Sequence, residues 1–325
     1  MLITRRGAAK LAGRAWPALL AAPALAQPLF TRPIRFILGF APGGAGDITA
    51  RMLAPVFQEE LGQPVVVDNR PGAGSMIAGE AVARAAPDGH TIYLMTTSDM
   101  SAPAFFRTIP FDVLRDFTPV ARMVWLDHVI AVNPALPATN LTELIALARA
   151  RPNALNIGSI AVGNAQQLGA ELFRNMANAP MTGVTYRTSP ELINALATGE
   201  IQVAGELLAP MLGQVRAGRV RVLAVAAPTR FPTLPEIPTA AESGLPGYNV
   251  RSWNAIAFPA GTPRPQVEAM NRAVRRALGD PGIRARLIEM GGVPEASSPE
   301  ELAALIPQAV AEWGRMAELA GVQRQ

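Results

Sequence analysis

The residues from Phe40 to Asp47, "FAPGGAGD", have the types and spacing of a small anion cradle. The apolar run Phe36–Phe40 reads as a buried strand. Asp47 suits a helix N-cap, and Ile48, Leu53 and Phe57 open an apolar helix face. Glycines between strand and helix let a ligand approach the backbone, and amides at a helix start favour negative charge. The bare sequence therefore suggests an anion cradle between strand and helix. The competing reading is a plain strand–helix turn. Nucleotide readings fail: Gly39 and Gly44 have the outer spacing of a phosphate loop, but Ala45 stands where its lysine belongs, and Lys10 is the chain's single lysine. Gly44 and Gly46 give G-x-G, but Thr49 takes the place of the third glycine.

Other reactive constellations are missing. The chain has no cysteine, which removes thiol nucleophiles and cysteine metal sites. His90 and His128 have no partner at metal-ligand spacing, and no serine lies in G-x-S-x-G. Asp112 and Asp116 sit four apart but read as turn caps, and Trp253 reads more readily as core than as site lining. No nucleophile with its base emerges, so binding without catalysis is expected, with no cofactor and no metal.

The elements that would position the cradle alternate. Strands are expected at 34–40, 65–68 and 91–96 and helices at 47–61 and 75–86, the latter capped by Ser75. Residues 97–118 read as irregular, and 119–126 and 128–133 as two crossing strands. A second series follows: helix 140–150, strand 154–159, helix 164–177, strand 182–186, helix 190–198, strand 201–205, helix 210–217 and strand 220–226. A strand near 250–258 and two or three helices close the chain. This is the pattern of doubly wound parallel sheets. "IGSIAVGN", with Ser159, Ala161, Gly163 and Asn164, echoes the first strand–loop–helix unit. Ligands of open α/β sheets lie beyond the carboxyl ends of strands, so the two loops would face one cleft. Thr96, Thr97 and Ser98 end the third strand and offer hydroxyl donors to the same place.

The 325 residues exceed one compact core, and two lobes are expected. Residues 1–26 have the form of an export signal: Arg5, Arg6, Lys10 and Arg14, an Ala/Leu-rich stretch, then Ala24-Leu25-Ala26. "TRRGAAK" leaves both general secretion and the twin-arginine route open. Without those four basic residues the chain holds 25 basic against 25 acidic, so the high isoelectric point gives no case for nucleic acid.

Several stretches together resemble one family: "PIRFILGFAPGGAGDITAR", "VVVDNRPGAGSMIAGEAVARAAPDGHTIYLM", "PFDVLRDFTPVARM", "VRAGRVRVLAVAAPTR" and "IPTAAESGLPGYNVRSWNAIAFPAGTP". The chain is similar to Bug-type extracytoplasmic solute receptors of tripartite tricarboxylate transporters from about Pro33 to about Gly321. The resemblance implies an α/β fold of the periplasmic binding protein type II kind, two doubly wound lobes with a hinged cleft. Lobe one would take 27–120 and 226–325, and lobe two 121–225. It implies a periplasmic, monomeric receptor for a small organic carboxylate, docking on membrane permease subunits. Carried over residue by residue, it implies that the carboxylate loop falls on Phe40, Ala41, Pro42, Gly43, Gly44 and Asp47, and it matches Tyr186 and Glu206 in lobe two. Arg187, Thr188, Gln166 and Gln167 depart from the usual family residues, so the ligand of any one member does not transfer. Two readings of Glu206 stay open: a structural pair with Arg187, or a partner for a ligand ammonium group. A sensory receptor and an enzyme acting on a carboxylic acid are the alternative functions.

Overall fold

The computed structural model describes residues 28–43, 45–72, 75–160, 165–322 and 324. The expected export signal, and with it Gly44, Ala161, Gly163 and Asn164, lies outside the described residues. The elements are β1 (Ile34–Leu38), α1 (Ala45–Leu61), β2 (Val65–Asn69), α2 (Met76–Ala83), β3 (Thr91–Thr96), α3 (Thr97–Phe105), β4 (Phe117–Val132), α4 (Leu141–Ala150), β5 (Asn156–Ile160) and α5 (Ala165–Met176). They continue with β6 (Thr182–Tyr186), α6 (Ser189–Thr198), β7 (Val203–Leu207), α7 (Leu208–Arg216), β8 (Arg221–Val225), β9 (Arg251–Pro259), α8 (Arg264–Gly279), α9 (Pro281–Glu289), β10 (Gly292–Pro294) and α10 (Pro299–Leu319).

The strands join in the order β2-β1-β3-β9-β4-β7-β5-β6, with β8 and β10 also paired to β4. Pairing is parallel in β2-β1-β3 and in β7-β5-β6, and antiparallel where β9 and β4 join the two sets. Parallel strands covered by helices on both faces read as continuous apolar runs. β3 is buried along its whole length. Ile92 and Leu94 pack with Phe36, Phe57 and the α8 residues Met270 and Val274, while Tyr93 and Met95 join a second cluster with Phe117, Trp253 and Trp313.

Two corrections position the site. Residues 117–132 are one strand, not two. From Phe117 to Asp127 β4 pairs with β9, and from His128 to Val132 with β7 and β8. The charged Asp127 separates two apolar runs in sequence, but it is buried and held by Arg251 Nε at 2.7 Å, so the strand runs through it. Residues 97–105 are helix rather than irregular chain. Its polar start and Pro103 hide the helix from periodicity. It is fixed instead by Asp99, whose Oδ2 accepts the Thr96 amide at 2.7 Å. Helix α10 opens with a capping box, Ser298 with Glu301, and buries Leu302, Ile306, Ala309, Trp313 and Ala317. It touches both α3 and α5, which belong to opposite halves of the sheet.

Candidate ligand site

In the first half of the sheet, the carboxyl ends of β1, β2 and β3 meet the starts of α1, α2 and α3. Phe40 is half-buried, while Ala41, Pro42 and Gly43 are exposed. Asp47 is not the N-cap: it lies inside α1, almost wholly buried, and reaches back to the loop. Its Oδ2 accepts the Gly43 amide at 2.9 Å, and Arg51 Nε donates to the same carboxylate at 3.0 Å. Arg51 Nη2 also reaches Asn69 Oδ1 at 3.2 Å, and Asn69 Nδ2 holds the Phe40 carbonyl at 3.0 Å. The Arg51 hydrogen bond is the largest influence that holds the Asp47 carboxyl below its usual range; burial opposes it and the Gly43 amide assists. Asp47 therefore braces the cradle, and the Gly43 amide already has its acceptor. Ile48, expected in the apolar face, is 42% exposed.

Ser75 does not cap α2 through its side chain. It is a buried non-glycine residue at φ 77° with no such bond. It presses on the end of β1 so closely that a Cβ on Gly39 would collide with it. A left-handed serine at a strand mouth is a strained position of the kind that concentrates at binding sites. Spacing gave no hint of it, because "GAGSM" reads as an ordinary helix start.

The hydroxyls expected on β3 are divided. Thr97 Oγ1 accepts the Trp253 amide at 2.7 Å and donates to the Trp253 carbonyl at 3.4 Å, clasping α3 to β9. Thr96 is buried beside Asp99. Ser98 is half-buried in the first turn of α3. Asp99 itself is buried, accepts from Tyr93 Oη at 2.7 Å, and is pushed by burial up to about 6.

In the second half, β5 and β7 end at the starts of α5 and α7, and β6 leads into α6. Ser159 is buried in β5, opposite Thr185. Tyr186 gives its hydroxyl to Glu200 Oε1 at 2.9 Å rather than to the strand ends. Arg187 does not reach Glu206. Its side chain is 90% exposed and lies 3.3 Å from Glu191. Glu206 is fully buried, accepting from Ser189 Oγ at 2.8 Å, from the Leu207 amide at 2.7 Å and from Gln166. Burial pushes its carboxyl up to about 7 against those donors. Ser189, which spacing did not single out, follows the Thr188 cap and opens α6.

Neither histidine is placed for chemistry. His128 is buried against Ser252 Oγ at 2.9 Å, and burial lowers it to about 3. His90 Nε2 accepts the Thr31 amide at 3.0 Å. Among the described residues no three His, Asp or Glu side chains group as a metal site. Concavities of about 260, 250 and 310 Å³ lie elsewhere: between α6 and α7, under α10 beside Trp125 and Trp253, and between Pro119, Val267 and Pro299. The convergent helix starts, rather than a closed cavity, mark this site.

Known proteins share this fold. A sequence profile described as "Tripartite tricarboxylate transporter family receptor" matches residues 49–322. Protein BugT of Bordetella pertussis is 33% identical over 94% of this chain and 93% of its own. The chain belongs to the tripartite tricarboxylate transporter receptor family. In three dimensions it is similar to Rpa4515 of R. palustris, solved with adipate, at TM-score 0.82 and 33% identity over 91% of this chain and 99% of that one. MatC of Rhodopseudomonas palustris, solved with malate, superposes at TM-score 0.77 with 30% identity over 88% of this chain and 99% of that one. The receptor family consists of periplasmic solute-binding proteins, not enzymes, and the α/β fold expected from the sequence is theirs. Membership implies partners in the membrane.

Proposed function

We propose that this receptor captures a small organic carboxylate between two lobes and delivers it to the membrane permease subunits of a tripartite transporter. The observation that carries the reading is the convergence of α1, α2 and α3 on the ends of β1, β2 and β3, with the Phe40–Gly43 loop braced by Asp47. Helix starts grouped this way favour an anion. The adipate and malate bound by Rpa4515 and MatC support a carboxylate. In this reading Phe40–Gly44 and Ser98 serve lobe one, and Ser159–Asn164 and the surroundings of Glu206 serve lobe two. Lobe one comprises 27–120 and 226–325, lobe two 121–225, with β4 among the crossings. The protein acts as a monomer without nucleic acid or cofactor. An export signal over 1–26 delivers it to the periplasm, leaving a mature chain that begins at Gln27.

Native mass spectrometry of freshly purified protein, followed by thermal shift with an organic-acid panel, tests the function. A co-purified or stabilising carboxylate is expected. A flat response across the panel overturns the reading. Intact mass tests the processing site.

A further inference from the structure

Glu206 lies where the starts of three helices meet: Gln166 in the first turn of α5, Ser189 opening α6, and Leu207 immediately before α7. The carboxyl is fully buried, and among the described residues it accepts three hydrogen bonds and no cation joins it. The charged groups on the packed elements are engaged elsewhere. Arg187, just before α6, pairs with Glu191 on it, and on α5 Arg174 pairs with Glu171. Arg221 of β8 reaches the Ala138 carbonyl, and Arg216 stands in the last turn of α7, at the far end from Leu207. On β4, Val129 is the registered neighbour of Glu206, and His128 beside it is held neutral against Ser252. A carboxylate buried without a counter-charge disfavours its ionised form, and burial here outweighs the three donors, placing its titration at about 7.

Ser189 and Gln166 are both half-buried, so they stand between Glu206 and solvent. An ionised carboxylate only accepts. It draws the Ser189 O–H and a Gln166 N–H inward, and the outward atoms are then acceptors, the Ser189 oxygen lone pairs and the Gln166 carbonyl. A second ligand carboxylate would meet acceptors backed by a buried negative charge. One proton on Glu206 inverts this surface. Its new O–H donates to Ser189 Oγ, and the serine hydrogen turns outward.

We propose that a dicarboxylate binds this protein together with one proton, taken from solvent onto Glu206 Oε2, and that the ligand's second carboxylate then accepts from Ser189 Oγ–H. Nothing else changes hands: the proton comes from water or buffer, and no covalent bond to the ligand forms. The inference rests on the carboxylate reading above and deepens it, naming dicarboxylates as the class and Ser189 as the lobe-two contact. Glu206 is a positioning residue that sets which way the serine hydroxyl points.

Isothermal titration calorimetry at pH 8, in two buffers of different ionisation enthalpy, measures the proton directly. The probes are adipate, malate and glutarate, with hexanoate as a monocarboxylate. These acids are ionised well below that pH, so they supply no proton themselves. Close to one proton is expected per dicarboxylate and none per hexanoate. Dicarboxylate affinity should fall about tenfold per pH unit above 7. Glu206→Gln keeps an N–H for Ser189 Oγ, so it should hold its affinity at pH 8, show a flat pH profile and take up no proton. Dicarboxylate binding without proton uptake by the unmodified protein, or a slope that persists in Glu206→Gln, overturns the proposal. The uptake measurement on the unmodified protein decides alone if the variant does not fold. Exclusive binding of amino acids or monocarboxylates also overturns it, while leaving the carboxylate receptor standing. Failure of every organic acid in a thermal-shift panel instead overturns the receptor reading itself.

Discussion

Asp47 connects a local choice of residue to binding. Its carboxylate fastens the Gly43 amide and Arg51, so Asp47→Ala should loosen the cradle without emptying the core. We expect carboxylate affinity to fall by about 1.5–3 kcal/mol, the range for a lost bond to a charged group, with a small change in melting temperature. Calorimetry with the co-purified ligand checks this, and unchanged affinity would remove the loop from the site. Two buried titrating groups give opposite pH signatures. His128 is lowered to about 3, so the fold favours its neutral form. That contribution is complete above the ordinary histidine range near 6.5 and is lost as pH falls toward 3. Asp99 is raised to about 6, so the fold favours its protonated form. Its contribution is complete below about 4, the ordinary range, and is lost as pH rises through 6. Asp99→Asn retains an acceptor for the Thr96 amide. Its stability relative to the unmodified protein should therefore improve between pH 4 and 7, read by urea denaturation at each pH. A difference that stays constant with pH would refute the assignment.

Among the elements, α3 and α10 bear most on how the site is held. Both are fixed by end chemistry as much as by apolar faces. In α10 the Glu301 amide donates to Ser298 Oγ at 3.1 Å and Glu301 Oε2 accepts the Ser298 amide at 2.7 Å. Ser298→Ala removes one of the two bonds, and a loss of about 1 kcal/mol is expected in denaturant unfolding. Since α10 touches α3 and α5, the same variant should speed amide exchange in both sheet halves, not in one. The expected strand–helix series was legible because β1 and β3 are short, largely apolar runs, and because turns such as "PDG" punctuate the chain. Helix α3 was not legible: its first residues are Thr, Ser and Asp, and Pro103 stands inside it. Its helical state depends on burial against α10 and the clasp of Thr97 on Trp253, contacts that periodicity cannot supply.

For the whole molecule, the change of partner along β4 sets the geometry between the two sheet halves. Arg251 begins β9 at that point, pairing with Asp127 and lying 4.5 Å over the Trp125 ring. Arg251→Met keeps the stem but leaves Asp127 buried and unpaired, and a loss of about 3–5 kcal/mol is expected. Differential scanning calorimetry reads it, and a loss under about 1 kcal/mol would show that water satisfies Asp127. A cognate carboxylate at a hundred times its Kd should stabilise the protein by about 2.7 kcal/mol. The sequence alone determined most of the alternation of strands and helices, the glycine-bearing loop after the first strand, the absence of thiol chemistry and the family, because each is written in neighbouring residues or in fixed spacing. Tertiary structure alone decided the partners of side chains. Thr97 meets Trp253 across 156 positions, and Glu206 takes Ser189 while Arg187, two residues from that serine, turns outward to Glu191. Such choices depend on which strands become neighbours and which side chains lose their water. Neither is set by local sequence, so the strand–loop–helix unit was readable in advance and the partners of its side chains were not.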